Sequence, residues 1–255
     1  MNAKKLEAQA QQLLAYLKSD IRYDQSHLPR PFFIEFTGTP SAGKTTTIVE
    51  LDKFLRRQGL RVYHPQEGAE VIRHISRSTP LYNIRTGIYA LSLLLDLMQG
   101  NQYDVVIFDR CVFDAYCWMT YWKEKNKLTE EEKKILQSFF LSEFWMKSID
   151  AAYFMTCTPS AAEERELKIA VSEILGETTS AASVTTLIAR YENAYALLKP
   201  QYPQLHLLDT TNMDTKTMVN FIVETTLKEL LKKTMKNPLC GFFLYYFIPL
   251  PGSTS

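Results

Sequence analysis

Short apolar runs alternate with longer stretches whose apolar positions recur every three or four residues. The runs Phe32 to Phe36, Leu60 to Tyr63, Val105 to Phe108, Ala151 to Met155 and Leu205 to Leu208 predict strands. Val105 to Phe108 is wholly apolar between Asp104 and Asp109, the signature of a central strand buried on both faces. The 3.6-residue pattern predicts helices over Lys44 to Gln58, with Ile48, Leu51, Phe54 and Leu55 on one face and Gly59 beyond its end. It also predicts helices over Glu67 to Arg77, over Arg85 to Met98 with Ile88, Leu91, Leu94 and Leu95 on one face, and over Phe113 to Trp122 and Glu130 to Lys147. Further helices are expected at Ser160 to Leu175, Leu187 to Leu198 and Thr215 to Lys233, with a polar small-residue loop at Gly176 to Ser183. Leu6, Leu13, Leu14 and Leu17 predict an amphipathic N-terminal helix ahead of Pro29-Arg30-Pro31. Strands alternating with helices imply an α/β fold, a three-layer α/β/α arrangement around a five-stranded, mostly parallel sheet. Ligands of such sheets sit beyond the carboxyl ends of the strands.

Composition narrows this only slightly. Lys and Arg number 29 against 28 Asp and Glu, so no global field draws the chain onto nucleic acid or anionic lipid, and any anion site is local. Cys111, Cys117, Cys157 and Cys240 lie far apart without zinc spacing and read as reduced thiols, and the N-terminus lacks a secretory signal, so the cytoplasm is the expected compartment. His27, His64, His74 and His206 form no metal or triad spacing. Leu239 to Leu250 is strongly apolar and aromatic but too short to span a bilayer, which suits docking on the domain, a second copy or a partner protein. The expected organisation is an N-terminal helix over 1–28, a P-loop domain over 29–235 and an apolar tail over 236–255.

The chemistry begins between the first strand and the first helix of that domain. Gly38-Thr39-Pro40-Ser41-Ala42-Gly43-Lys44-Thr45 fits G-x-x-x-x-G-K-[ST], in which backbone N–H groups wrap phosphates at a helix N-terminus. Lys44 would reach the β- and γ-phosphates of a nucleoside triphosphate, the Thr45 hydroxyl would ligate Mg²⁺, and Thr46 continues the phosphate end of the helix. Asp109 ends the strand Val105 to Phe108, where a carboxylate can hold Mg²⁺ opposite the loop; capping the next helix is its structural alternative.

With these residues the chain resembles the P-loop nucleoside and nucleotide kinases, in particular the thymidylate kinase-like branch. The resemblance rests on GTPSAGKT, a Glu after the second strand, Asp-Arg after VVIF and an Arg-bearing helix after the fourth strand, and extends loosely from Phe32 to about Leu231. It implies the P-loop NTPase fold, ATP and Mg²⁺ as cofactors, and Glu67, Asp109 and Arg110 around the acceptor. Glu67 would act as base on an acceptor hydroxyl or orient it, ahead of Glu70; the plain alternative is a first-turn glutamate favoured by the helix dipole. Arg73, Arg77 and Arg85 suit an acceptor phosphate or a solvated basic face. The Ser160 to Leu175 helix stands where these kinases carry a lid, so Arg165 with Lys168 would face the moving phosphoryl group. It departs from the family in offering one arginine among Glu163, Glu164 and Glu166, and Arg190 could substitute or make an ordinary structural contact. Asp209-Thr210-Thr211 falls where related folds hold the adenine, or forms a strand-to-helix turn. Phe113, Tyr116, Trp118, Tyr121 and Trp122 are spaced for core packing more readily than for a base-stacking pocket.

Two functions compete at this stage. One is a phosphotransferase moving the ATP γ-phosphate to a nucleoside, nucleotide or similar small acceptor. The other is a regulatory ATPase with slow, acceptor-independent hydrolysis and a protein partner for the tail. A polynucleotide-end kinase is disfavoured because no basic stripe is present.

Overall fold

The computed structural model describes residues 3–19, 28, 30–169 and 181–235. The tail over 236–255, with Cys240, and residues 170–180, which include most of the expected Gly176 to Ser183 loop, lie outside the described residues. The described chain runs α1 (Ala3–Ser19), β1 (Phe32–Gly38), α2 (Lys44–Arg57), β2 (Val62–Tyr63), α3 (Gly68–Val71), α4 (Pro80–Leu97), β3 (Val105–Asp109), α5 (Val112–Glu124), α6 (Glu130–Phe140), α7 (Glu143–Met146), β4 (Ile149–Thr156), α8 (Pro159–Ile169), α9 (Ala181–Leu198), β5 (Leu205–Asp209) and α10 (Thr215–Met235).

The five strands form one parallel sheet in the order β2-β3-β1-β4-β5. All seven residues of β1 are buried, and Ile34 lies opposite Ile107 on one side and Ala151 on the other. Alternation along β1 sends Phe32, Ile34 and Phe36 into a core with Ile48 and Leu51 of α2 and Ile222 and Leu230 of α10. Phe33 points into the opposite core, with Leu91 and Leu94 of α4, Phe113 of α5 and Leu187 and Tyr191 of α9. The result is the expected three-layer α/β/α fold. Leu6, Ala10, Leu13 and Leu14 of α1 join the first core. Cys111, Cys117 and Cys157 are buried free thiols.

Glu35 is the anomaly on β1, fully buried in the face shared with Phe33. Its carboxylate accepts hydrogen bonds from the backbone N–H of Cys111 (2.9 Å), Phe113 (3.2 Å) and Asp114 (2.9 Å). These are the orphan donors of the first turn of α5, whose N-cap residue Cys111 supplies no side-chain bond. A strand carboxylate therefore caps a helix from outside the helix. Burial pushes the Glu35 carboxyl up to about 8, while the three N–H groups pull it down.

Four helical expectations are corrected, the simplest being that α9 starts at Ala181, inside the expected polar loop, and not at Leu187. The helix expected over Glu67 to Arg77 ends after Val71, because the Arg73 side chain bonds the Glu70 carbonyl and Ser76 and Thr79 form local side-chain-to-backbone bonds that compete with a helical ladder. α4 starts at Pro80, not Arg85, with proline in the first turn. Its buried face comprises Tyr82, Asn83, Gly87, Ala90, Leu91 and Leu94, while Ile88 and Leu95 are exposed. The reason is close approach to α5: a Cβ on Gly87 would lie 2.7 Å from the Ala115 Cβ. The helix expected over Glu130 to Lys147 breaks at Leu141, where Trp145 Nε1 donates to the Phe140 carbonyl and the Tyr202 hydroxyl to the Leu141 carbonyl.

Replacing Glu35 by Ala strips three buried donors of their acceptor, and the unfolding free energy is expected to fall by about 3 kcal/mol or more. Urea unfolding of the two proteins measures it. A loss below about 1 kcal/mol would mean that water or another group takes over the cap.

Candidate functional site

The loop after β1 has the backbone that its glycines predict. Gly38 has φ 134 and passes so close to β4 that a Cβ would stand 1.9 Å from the Met155 carbonyl oxygen, so only glycine fits. Gly43, at φ 86, is the N-cap of α2, and Ser41 is also left-handed at φ 56. Lys44 is buried, with Nζ donating to the carbonyls of Thr39 (2.7 Å) and Gly38 (3.3 Å). Burial, with the Arg110 charge beside it, pushes its ammonium down to about 8, against the pull of Asp109, Asp114 and Glu67. Thr45 Oγ1 donates to Asp109 Oδ2 at 3.3 Å, and Asp109 Oδ1 is buried without a hydrogen-bond partner. Thr46 is exposed on the first turn of α2.

Arg110 leaves β3 in the left-handed region at φ 68, its N–H held by the Phe36 carbonyl at 2.8 Å. This conformation is costly for a side chain with a Cβ. It aims the guanidinium between two carboxylates, with Nε 3.1 Å from Glu67 Oε1 and Nη1 3.0 Å from Asp114 Oδ1. Buried Asp114 also accepts from Thr37 Oγ1 (2.7 Å) and the Tyr191 hydroxyl (2.9 Å). Burial raises the Glu67 carboxyl, and Arg110 draws it partly back. Glu67 and Arg110 are thus paired, with Asp109 next to Arg110 in the chain. Asp114 and Tyr191 were missed: Asp114 carries a signal in its i,i+4 spacing from Arg110, whereas Tyr191 arrives from α9 with none.

A cavity of about 1050 Å³ opens from this cluster. Glu67, Arg110 and Asp114 form one end, and Trp118, Tyr121 and Trp122 continue the wall along a single face of α5. The aromatic group therefore divides. Phe113 packs in the core against Phe154 and Tyr202, Tyr116 and Trp118 pack against that core and Trp122 is buried, while Trp118, Tyr121 and Trp122 also line the cavity. Glu70, Arg73 and Arg77 also line it, with Arg77 over the Tyr82 ring; Arg85 is not in its lining.

Arg165, Asp209 and Thr210 lie on the other side of the loop. Arg165 Nη1 donates to the Ser41 carbonyl (3.1 Å) and Thr210 Oγ1 (3.0 Å), and Nη2 to the Thr210 carbonyl (2.6 Å). It thus ties α8 to the loop and to the end of β5, away from the Glu67 cluster. Its neighbour Glu166 accepts from Ser41 Oγ at 3.0 Å, and Lys168 pairs with Glu164 on the surface. Arg190 binds Glu124 and stacks over the Tyr121 ring, holding the cavity wall. Thr210 is buried, its hydroxyl donating to the Ala42 and Thr156 carbonyls, and Asp209 accepts from the Thr211 N–H. That pair forms a strand-to-helix turn braced against the loop.

The family model described as AAA domain matches residues 33–190. No curated protein matches the sequence. Among solved structures, a deoxyadenosine kinase from M. mycoides with the products dCMP and a flexible dCDP bound is 21% identical with a TM-score of 0.56, over 77% of this chain and 100% of that one. The thymidylate kinase from Candida albicans is 13% identical with a TM-score of 0.51, over 79% and 94% of the two chains. These likenesses show a shared P-loop kinase fold. Among the described residues, no helix is long and apolar enough to cross a membrane.

Because the Lys44 ammonium titrates at about 8 in the fold and at 10.5 when unperturbed, the native state holds fewer protons than the unfolded one between those values. In that window this group favours folding increasingly as pH rises, while the cradle loses its cation. The affinity for a nucleoside triphosphate is expected to weaken above pH 8, towards about tenfold per pH unit. Lys44→Arg, which keeps its charge, is expected to flatten the profile in calorimetric titrations. Equal slopes in the two proteins would assign the titration elsewhere.

Proposed function

Because the chain belongs to the AAA domain family, we propose that it is an ATP-dependent phosphotransferase whose γ-phosphate goes to a hydroxyl or phosphate of a nucleoside, nucleotide or similar small acceptor. One observation carries this reading: the large cavity is lined by Glu67, Arg110 and Asp114, and Arg110 directly follows Asp109, which accepts from Thr45 of the phosphate loop. A hydrolysing switch needs a site for water, and this cavity is sized for a second substrate. The nucleoside and nucleotide kinases that share the fold agree with that reading.

Phosphoryl transfer asks the protein for alignment and charge neutralisation rather than covalent chemistry. Lys44 lies under the phosphate loop to offset charge on the β- and γ-oxygens. Glu67 takes the proton of an acceptor hydroxyl, its raised carboxyl favouring proton uptake. Arg110, held between Glu67 and Asp114, steadies that carboxylate and presents cationic charge to the transferred group. The donor set near Thr45 and Asp109 fits Mg²⁺, since both supply hard oxygens and Asp109 Oδ1 lacks a partner. When bound there, Mg²⁺ would neutralise charge across the phosphates. Arg165 braces the loop instead of meeting the phosphoryl group, consistent with the shortage of arginines on this helix.

Turnover of Mg²⁺-ATP by purified protein against nucleosides and nucleoside monophosphates, read by mass spectrometry, is expected to yield a phosphorylated acceptor that vanishes in Lys44→Ala. Glu67→Gln is expected to lower kcat by about 10² or more with a small change in KM. ATP hydrolysis indifferent to every acceptor would overturn the phosphotransferase reading in favour of a regulatory ATPase.

A further inference from the structure

The cavity wall has a polarity of its own. Asp114, Trp118 and Trp122 follow one another at four-residue spacing on α5, so the two indoles stand about 6 and 12 Å along the helix axis from the Arg110–Asp114 end. A group reacting beside Glu67 would place a ring carried one sugar away between these aromatic side chains.

Two hydrogen-bonding groups wait there. Trp122 Nε1 donates to Asn83 Oδ1 at 2.9 Å. An indole N–H only donates, so this bond fixes the orientation of the Asn83 amide: its oxygen faces Trp122 and its NH₂ faces away. Asn83 is 8% exposed and lines the cavity, and no acceptor for its NH₂ is found among the described residues. Trp118 Nε1 is buried without a partner in the same wall. The Trp118 N–H is a buried donor of the kind rarely left unpaired, because an unmet one forfeits its bonds to water, whereas the Asn83 NH₂ keeps access to solvent. Both groups offer hydrogens and neither offers an acceptor.

We infer that Asn83 and Trp118 read the ring of the acceptor and select one that presents carbonyl oxygens, an oxo-bearing nucleobase in preference to an amino-bearing one. The inference rests on the acceptor reading of the cavity. A carbonyl satisfies the waiting donors, whereas an exocyclic amino group sets N–H against N–H and leaves them unmet. The aromatic side chains supply stacking for any base, so discrimination falls to these two groups.

The test compares matched pairs, uridine with cytidine and inosine with adenosine, as nucleosides and 5′-monophosphates, measuring calorimetric affinity and kcat/KM. Wild-type protein is expected to favour the oxo member at least about tenfold. Asn83→Asp keeps the oxygen that meets Trp122 and replaces the NH₂ by an acceptor, so the preference is expected to invert towards cytidine and adenosine. Trp118→Phe keeps a ring and removes one donor, so the preference is expected to shrink with the fold intact. Equal affinity for the members of each pair, no binding of any member, or ratios unmoved in both variants would overturn the inference. Binding that shows the preference without phosphorylation would sink the phosphotransferase reading and leave this one standing. Phosphorylation without the preference would do the reverse.

Discussion

The grip of Glu35 on the first turn of α5 is the interaction on which the site depends. A carboxylate in the middle of the central strand is costly to bury, and three backbone N–H groups at a helix terminus compensate for that cost. The bond set locks the start of α5 to β1, and with it the segment that carries Arg110 and Asp114. Because α5 also forms the cavity wall as far as Trp122, one buried acid positions both the chemical end and the aromatic end of the cavity relative to the phosphate loop.

Arg110 shows what this rigidity permits. Its left-handed backbone is sustained by the Phe36 carbonyl and by two carboxylates that converge from separate elements, Glu67 before α3 and Asp114 within α5. Thr37 and Tyr191 complete the shell around Asp114, so the acid is satisfied from β1 and α9 as well. Strain at one residue is thus held by contacts from four directions, the arrangement expected where a guanidinium must keep a fixed aim.

The opposite side of the loop is organised by a different principle. Arg165 spends its donors on carbonyls of the loop and the β5 turn, and Glu166 engages the Ser41 hydroxyl. An arginine bonded to backbone oxygens in this way shapes the cradle. A helix rich in glutamate can therefore sit beside a phosphate loop, since its one arginine serves as a brace, Lys168 pairs with Glu164 on the surface and Glu166 meets a hydroxyl.

Local physics made much of this legible before any coordinates. Apolar runs of four or five residues read as strands because buried parallel strands need both faces apolar, and Gly38 and Gly43 marked the loop because only glycine takes its backbone at no cost. Lys44 and Thr45 were read from the glycine-loop motif, Asp109 from its place at a strand end and Arg110 from the family resemblance. Helix limits were less legible where side chains elsewhere compete for the backbone, as at Val71 and Leu141. Glu35, Tyr191 and Asn83 could not be read at all in their present roles, and Asp114 only through its spacing from Arg110. Glu35 meets the N–H of Asp114 across 79 positions and Tyr191 meets its carboxylate across 77, and no spacing rule spans such distances. The sequence by itself determined the strand-helix order and the phosphate loop, because these depend on neighbours in the chain. Which polar groups share a buried site was decided only by tertiary structure, because burial makes each of them find a partner that the fold, not the chain, brings within reach.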